Sequence, residues 1–170
     1  MQRYKIKALN TIIFSTGTNI AKRIDHLKHA ENEMHRIGEI INISSVYESK
    51  AWGETNQQDF LNQVIHVETK LTAIECLDII QLIEKERLRE RKKHWGPRTL
   101  DIDILFFNNE IINSKRLIIP HAFIAERLFV LLPLSEILET FIHPVLGKEI
   151  KHLLTECKDE SEIKLYKKAI

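Results

Sequence analysis

Asp101 and Asp103 stand two positions apart in the run Leu100 to Phe107, whose apolar and β-branched composition predicts a strand. The two-residue period of a strand turns both carboxylates to one face, about 7 Å apart along the chain, where they can converge on a shared ligand. Strict alternation adds Leu105 and Phe107 to that face and leaves Leu100, Ile102, Ile104 and Phe106 on a wholly apolar opposite face. Two carboxylates at the mouth of a buried face repel each other and lose hydration unless cations compensate, and Mg²⁺, a hard ion that takes oxygen ligands, suits that position. A polar strand edge paired to Arg98 accounts for the two residues equally well. Immediately upstream, Lys85 to Arg98 holds seven Lys or Arg against Glu86 and Glu90. That segment carries +5 of a chain whose net charge is +1, so the remainder is −4. A basic run at the end of a helix can be a solvated surface that compensates the helix dipole. Beside a carboxylate pair it also supplies what phosphoryl chemistry needs: metal ligands, and cations to neutralise developing charge. The chain has no GxxxxGK[ST], GxGxxG or kinase catalytic-loop pattern, so a nucleotide must be held by other means.

The elements that must position these groups are readable from periodicity. Ile6 to Thr16 predicts a strand ending in the turn Gly17-Thr18-Asn19. A helix follows from Ile20, with Ile24, Leu27, Met34 and Ile37 on one side and Gly38 as a left-handed terminator. Strands are expected over Glu39 to Glu48 and Phe60 to Glu68, separated by the polar loop Ser49 to Asp59. Thr72 and Glu75 form a capping-box pattern for a helix whose buried stripe is Ile74, Leu77, Ile80 and Ile83. Trp95-Gly96-Pro97 breaks the chain before the aspartate strand. Ile111-Ile112 and Leu117 to Ile119 predict short strands, and Ala122 to Leu132 and Lys148 to Cys157 predict helices, with Pro133 and Pro144 as punctuation and a fraying end of about ten residues. The order strand, helix, strand, strand, helix, strand implies an α+β sandwich of ferredoxin-like type, with a mainly antiparallel sheet and helices packed on it.

At 170 residues with 44% hydrophobic and 29% charged, the chain fits one domain spanning 1–170, large enough for a core of its own. Near-neutral charge argues against a surface built for nucleic acid or membranes. Cys76 and Cys157 form no CxxC pair, and no stretch approaches the roughly 18 apolar residues of a spanning helix, so a reducing cytoplasm is the expected location.

Trp95-Gly96-Pro97-Arg98-Thr99-Leu100-Asp101-Ile102-Asp103-Ile104-Leu105 resembles the signature of the 6-hydroxymethyl-7,8-dihydropterin pyrophosphokinases. The resemblance continues in order through Gly17-Thr18-Asn19, Ser44-Ser45-Val46-Tyr47, Phe60-Leu61-Asn62, Gln81 with Glu84, Pro120-His121, Arg127 and Phe129. It implies mobile catalytic loops and transfer of an intact pyrophosphoryl group from ATP to the pterin hydroxymethyl oxygen, by attack at the β-phosphorus with release of AMP. It further implies two Mg²⁺ ions on Asp101 and Asp103, with Arg89, Arg91, Lys92 and Arg98 gripping phosphates. Trp95 would seal the site, and His121, Arg127, Gln81 and Glu84 would face the nucleotide. Asn62 matches the amide that reads the pterin edge and Phe60 and Phe129 its aromatic sandwich, with Ser49 and Trp52 in the loop beside it. The implied partners are the two small substrates, with no nucleic acid or membrane, and the chain acts as a monomer or weak dimer.

Several positions depart from the family pattern. Thr18 stands for serine, Leu88 for a glycine before the arginine pair, His94 for a more basic residue and Phe60 for tyrosine. Ala122 lacks an aromatic, and Lys50-Ala51 replaces a proline-rich loop start. Two other readings stay open: a ferredoxin-like module that binds RNA through the basic segment, and an enzyme of this fold acting on a different alcohol. The first gives no reason to set aspartates, which repel phosphate, beside the cations.

Overall fold

The computed structural model of the chain describes residues 9–51, 57–87 and 98–169. In chain order these form β1 (Asn10–Thr18), α1 (Arg23–Glu33), β2 (Gly38–Ile43), β3 (Val46–Ser49), β4 (Phe60–Thr69), α2 (Ala73–Glu86), β5 (Asp101–Phe107), β6 (Ile112–Asn113), β7 (Ile118–Ile119), α3 (Leu128–Leu138), α4 (Ile150–Glu156) and β8 (Ile163–Lys167). The main sheet runs β5-β1-β4-β3-β8, with β2 also on β4, and each of its strand pairs is antiparallel. The expected α+β sandwich is the observed architecture. Alternation along β1 builds both of its layers. Ile12 and Phe14 join Ala30 and Met34 beside α1 and Cys76, Ile80 and Ile83 of α2 in one core, while Ile13 joins Val130, Leu131 and Leu134 of α3 and Ile150 and Leu153 of α4 in the other.

The Thr72–Glu75 capping box is present, the Thr72 N–H donating to Glu75 Oε2 at 2.8 Å. The buried side of α2, however, is Ala73, Cys76, Ile80, Ile83 and Glu84, with Ile74 exposed. Gly17 and Thr18 are not a turn: they continue β1, opposite Asn62 and Leu61. Gly38 does not end a helix in the left-handed region. It opens β2, where a Cβ would stand 1.9 Å from the Glu68 carbonyl oxygen, so close approach of two strands is what demands glycine. The single strand expected over Glu39 to Glu48 is divided at Ser44, whose hydroxyl accepts from the Val64 N–H at 2.9 Å in place of a ladder bond.

Strict alternation fails in β5. Ile13 faces Phe106 but Phe14 faces Ile104, so Leu105 is the extra residue of a bulge. Past it the faces exchange: Leu105 and Phe106 join the α3/α4 core and Phe107 joins the α1/α2 core. The helix expected over Ala122 to Leu132 begins only at Leu128, after a 3₁₀ turn at Ile124–Glu126, and continues through Pro133 to Leu138. Burial of Val130, Leu131, Pro133 and Leu134 outweighs the lost backbone bond, and Asp159 Oδ2 accepts from the Leu128 N–H at 2.9 Å at its start. The end expected to fray is β8, which covers the outer edge of β3, with the Ala169 N–H donating to Ser45 Oγ beyond it. Both cysteines are free, and no helix among the described residues is long and apolar enough to cross a membrane.

Candidate active site

The α3/α4 face of the sheet changes character along its length. Ile13, Val64 and Phe106 are covered by helices, but the same face continues as Ser15 and Gly17 of β1, Phe60 and Asn62 of β4 and Asp101 and Asp103 of β5. Register aligns them: Gly17 lies between Asn62 and Asp101, and Ser15 lies opposite Asp103. Small residues on the central strand leave a trough between an amide wall and a carboxylate wall. A Cβ on Gly17 would come 3.5 Å from Asn62 Oδ1, so glycine keeps the floor low. The resulting cleft is about 350 Å³ and also takes in Ser49, Gln57, Arg98, His121, Arg127 and Phe129.

On the carboxylate wall, Arg98 is ion-paired to Asp101. Burial lowers the Arg127 pKa, and the carboxylates of Asp103 and Asp101 oppose that shift. Its guanidinium lies 4.9 Å from the Phe123 ring centre and 5.7 Å from that of Phe129, which orients it over the cleft's aromatic end. Burial, reinforced by Arg127 and opposed by Asp101, pushes His121 down to about 4. The ring is therefore neutral near pH 7. Its Nδ1 accepts from the Phe123 N–H at 3.3 Å, which leaves the proton on Nε2 as a donor. The backbone N–H of His121 donates to Leu105 O at 3.0 Å and fastens this segment along the outer edge of β5.

On the amide wall, Asn62 is 3% exposed and donates through Nδ2 to Ser49 Oγ at 2.8 Å. Ser49 thus acts on this wall by fixing the amide's orientation. The edge of β5 is held from behind: Glu84, 4% exposed on α2, accepts from the Ile102 N–H at 2.8 Å, between the two aspartates in sequence. Glu84 and Gln81 do not line the cleft. Arg89, Arg91, Lys92, Trp95 and Trp52, like Leu88 and His94, lie outside the described residues. Periodicity had no means of finding Phe123, Gln57 or Ser15; the nearest signal for Phe123 is an aromatic two positions after His121.

Among the described residues no three His, Cys, Asp or Glu side chains form a metal cage. Two convergent carboxylates fit Mg²⁺ nonetheless, because that ion commonly binds one or two carboxylates and takes its other ligands from water and phosphate. A wider depression of about 780 Å³ is lined by Glu126, Glu156, Asp159 and Glu160 together with Lys148 and Lys158, and so mixes charges of both signs.

Residues 13–139 match the model of the 7,8-dihydro-6-hydroxymethylpterin-pyrophosphokinase family. The chain belongs to this family. The matched span includes both aspartates and every residue of the cleft named above. The 2-amino-4-hydroxy-6-hydroxymethyldihydropteridine pyrophosphokinase of Aquifex aeolicus is 42% identical over 154 residues, 91% of this chain and 94% of the relative. That of Haemophilus influenzae is 37% identical over 157 residues, 91% and 98% of the two chains. The fold of this pyrophosphokinase-family chain also resembles the crystal structure of wild-type HPPK-DHPS from Plasmodium falciparum, at TM-score 0.68 and 18% identity. That match covers 90% of this chain and 45% of the Plasmodium chain. Membership favours a pyrophosphokinase over an RNA-binding module as the reading of the basic segment.

Proposed function

We infer that this chain transfers pyrophosphate from ATP to the hydroxymethyl group of 6-hydroxymethyl-7,8-dihydropterin, giving the pterin diphosphate and AMP in folate biosynthesis. The observation that carries the site assignment is the convergence of Asp101 and Asp103 with Arg98, His121 and Arg127 on one side of a trough whose other side is Asn62 and Phe60. The pterin stacks against Phe60 and Phe129, while Asn62, which offers donor and acceptor together, reads its ring edge. Arg98, Arg127 and the neutral His121 receive the triphosphate. The hydroxymethyl oxygen then forms a bond to the β-phosphorus as the bond from that phosphorus to the α–β bridging oxygen breaks, AMP leaves with that oxygen, and the hydroxyl proton passes to solvent water. Asp101 and Asp103 would hold the two Mg²⁺ ions, which would supply charge neutralisation to the phosphates and lower the hydroxyl pKa. Arg89, Arg91 and Lys92 are assigned to the transferring group, Trp95 to closure that excludes water, and Trp52 to the loop beside the pterin. Positioning and electrostatics carry such a reaction, since little covalent work falls to the protein. The chain is read as a cytoplasmic monomer or weak dimer, in keeping with its two free cysteines.

The test is an incubation with ATP, Mg²⁺ and reduced hydroxymethylpterin. AMP and a diphosphorylated pterin are expected, and formation of ADP, or AMP without dependence on the pterin, would refute the assignment.

A further inference from the structure

Phe123 has no part in the chemistry above, yet it touches two of the groups assigned to the triphosphate. Its backbone N–H is the donor to His121 Nδ1, and its ring centre lies 6.0 Å from that of His121. The Arg127 guanidinium lies over the same phenyl ring, 4.9 Å from its centre. The local fold brings the three residues together. Phe123 leads into the 3₁₀ turn Ile124–Glu126, and its carbonyl accepts from the Glu126 N–H at 3.3 Å. Ile124 is fully buried in the α3/α4 core and fastens the turn from inside. The backbone of Arg127 is fixed as well, because its carbonyl accepts from the Leu131 N–H at 3.0 Å in the first turn of α3. What the backbone does not fix is the guanidinium, carried at the end of a long side chain rich in rotamers. Two rings flank it: Phe129, at 5.7 Å and already assigned to the pterin, and Phe123, which lines the cleft and is 44% exposed.

We propose that Phe123 is a positioning residue whose ring holds the Arg127 guanidinium toward the triphosphate, so that nucleotide affinity depends on an aromatic side chain at this position. The inference rests on the substrate assignment made above. A ring face attracts a guanidinium through its quadrupole, and an aliphatic side chain of similar bulk fills the space without that attraction. Phe123→Leu therefore removes the platform and keeps the backbone N–H that His121 accepts. Phe123→Tyr keeps both. Arg127 is half-buried, which strengthens the contact relative to one in open water, so loss of the ring should weaken nucleotide binding about five- to thirtyfold.

The experiment measures, on the full chain, the affinity for a non-hydrolysable ATP analogue with Mg²⁺ by calorimetry, and the KM for pterin from AMP formation at saturating ATP. Phe123→Leu should bind the analogue about five- to thirtyfold more weakly, with its KM for pterin within about twofold of wild type. Phe123→Tyr should match wild type in both. Action through Arg127 is read from a double-mutant cycle: on an Arg127→Ala background, Phe123→Leu should change analogue affinity by less than about twofold. Should Phe123→Leu not fold, Phe123→Met, also without a ring, takes its place. Wild-type analogue affinity in Phe123→Leu overturns the proposal, and so does an equal loss in Phe123→Tyr. An undiminished loss on the Arg127→Ala background overturns it as well, since the ring would then meet the nucleotide itself. Equal losses for both substrates would mark a role in folding alone and count against it too. In each of these cases AMP formation by the wild-type protein leaves the functional reading standing. Wild-type protein that forms no AMP refutes the functional reading and the inference together.

Discussion

Replacing Glu84 by alanine removes the carboxylate that accepts from the Ile102 N–H at 2.8 Å. Both groups are buried, so the strand N–H is left without that partner and without ready access to water. An orphaned buried donor costs about 1–3 kcal/mol, so a loss of about 2 kcal/mol is expected. For a chain of this length each kcal/mol lowers Tm by about 2–4 °C, which places the Glu84→Ala midpoint about 4–8 °C below wild type. Glu84→Gln retains an acceptor oxygen and exchanges a charged bond for a neutral one, so it should lose about half as much. Ile102 separates Asp101 from Asp103, and loosening its backbone moves both carboxylates. AMP formation measured well below either midpoint should therefore fall at least tenfold in Glu84→Ala, with a smaller loss in Glu84→Gln. Calorimetric unfolding and the AMP assay together are decisive. An unchanged midpoint in Glu84→Ala, accompanied by a raised KM for ATP alone, would show that Glu84 meets the nucleotide and does not support the strand.

Asp101→Ala and Asp103→Ala should each reduce AMP formation at least a thousandfold while leaving the unfolding midpoint within a few degrees, since relief of the repulsion between carboxylates offsets the lost attraction to Arg98 and Arg127; AMP release at the wild-type rate would remove that residue from the site. Histidine proton shifts followed by NMR should show His121 titrating near 4 in the ligand-free protein. Because the folded pKa lies below the unfolded 6.5, this group's stabilisation is complete above about pH 6.5 and is lost as pH falls toward 4; a His121 midpoint at or above 6.5 would contradict its burial beside Arg127. Gly38→Ala forces a Cβ to within 1.9 Å of the Glu68 oxygen, so β2 must separate from β4 and stability should drop by about 2 kcal/mol or more; thermal unfolding at the wild-type temperature would refute the close approach. Asn62→Ala should weaken pterin binding about tenfold or more with ATP affinity unchanged, and calorimetry showing equal pterin affinity would place the ring elsewhere.

What the sequence makes legible follows from local physics. The two-residue period of a strand puts Asp101 and Asp103 on one face whatever the rest of the chain does, and the Thr72–Glu75 cap is formed within four residues. Features set by partners distant in sequence are not legible in that way. The exchange of faces at Phe106 and Phe107 depends on a bulge against β1, and Gly38 marks an encounter with Glu68, not a local turn. The strand at Ile163–Lys167 exists because β3 offers an edge. Glu84 illustrates the difference within one side chain: the family resemblance implies a nucleotide contact, and only the packing of α2 against β5 reveals that it accepts from the Ile102 N–H. Among the site residues, Asn62 and Phe129 are legible by resemblance, whereas the part played by Ser49, which orients Asn62, emerges only from the pairing of β3 with β4.

On the proposed reading, Asp101 and Asp103 together would hold the divalent ions that the reaction uses. Mn²⁺ binding, followed by electron paramagnetic resonance with a non-hydrolysable ATP analogue and pterin present, tests it directly. Two ions per chain are predicted for the wild-type protein, with at least a tenfold loss of affinity for one or both in Asp101→Asn and in Asp103→Asn. Wild-type stoichiometry and affinity retained in both variants would contradict the account.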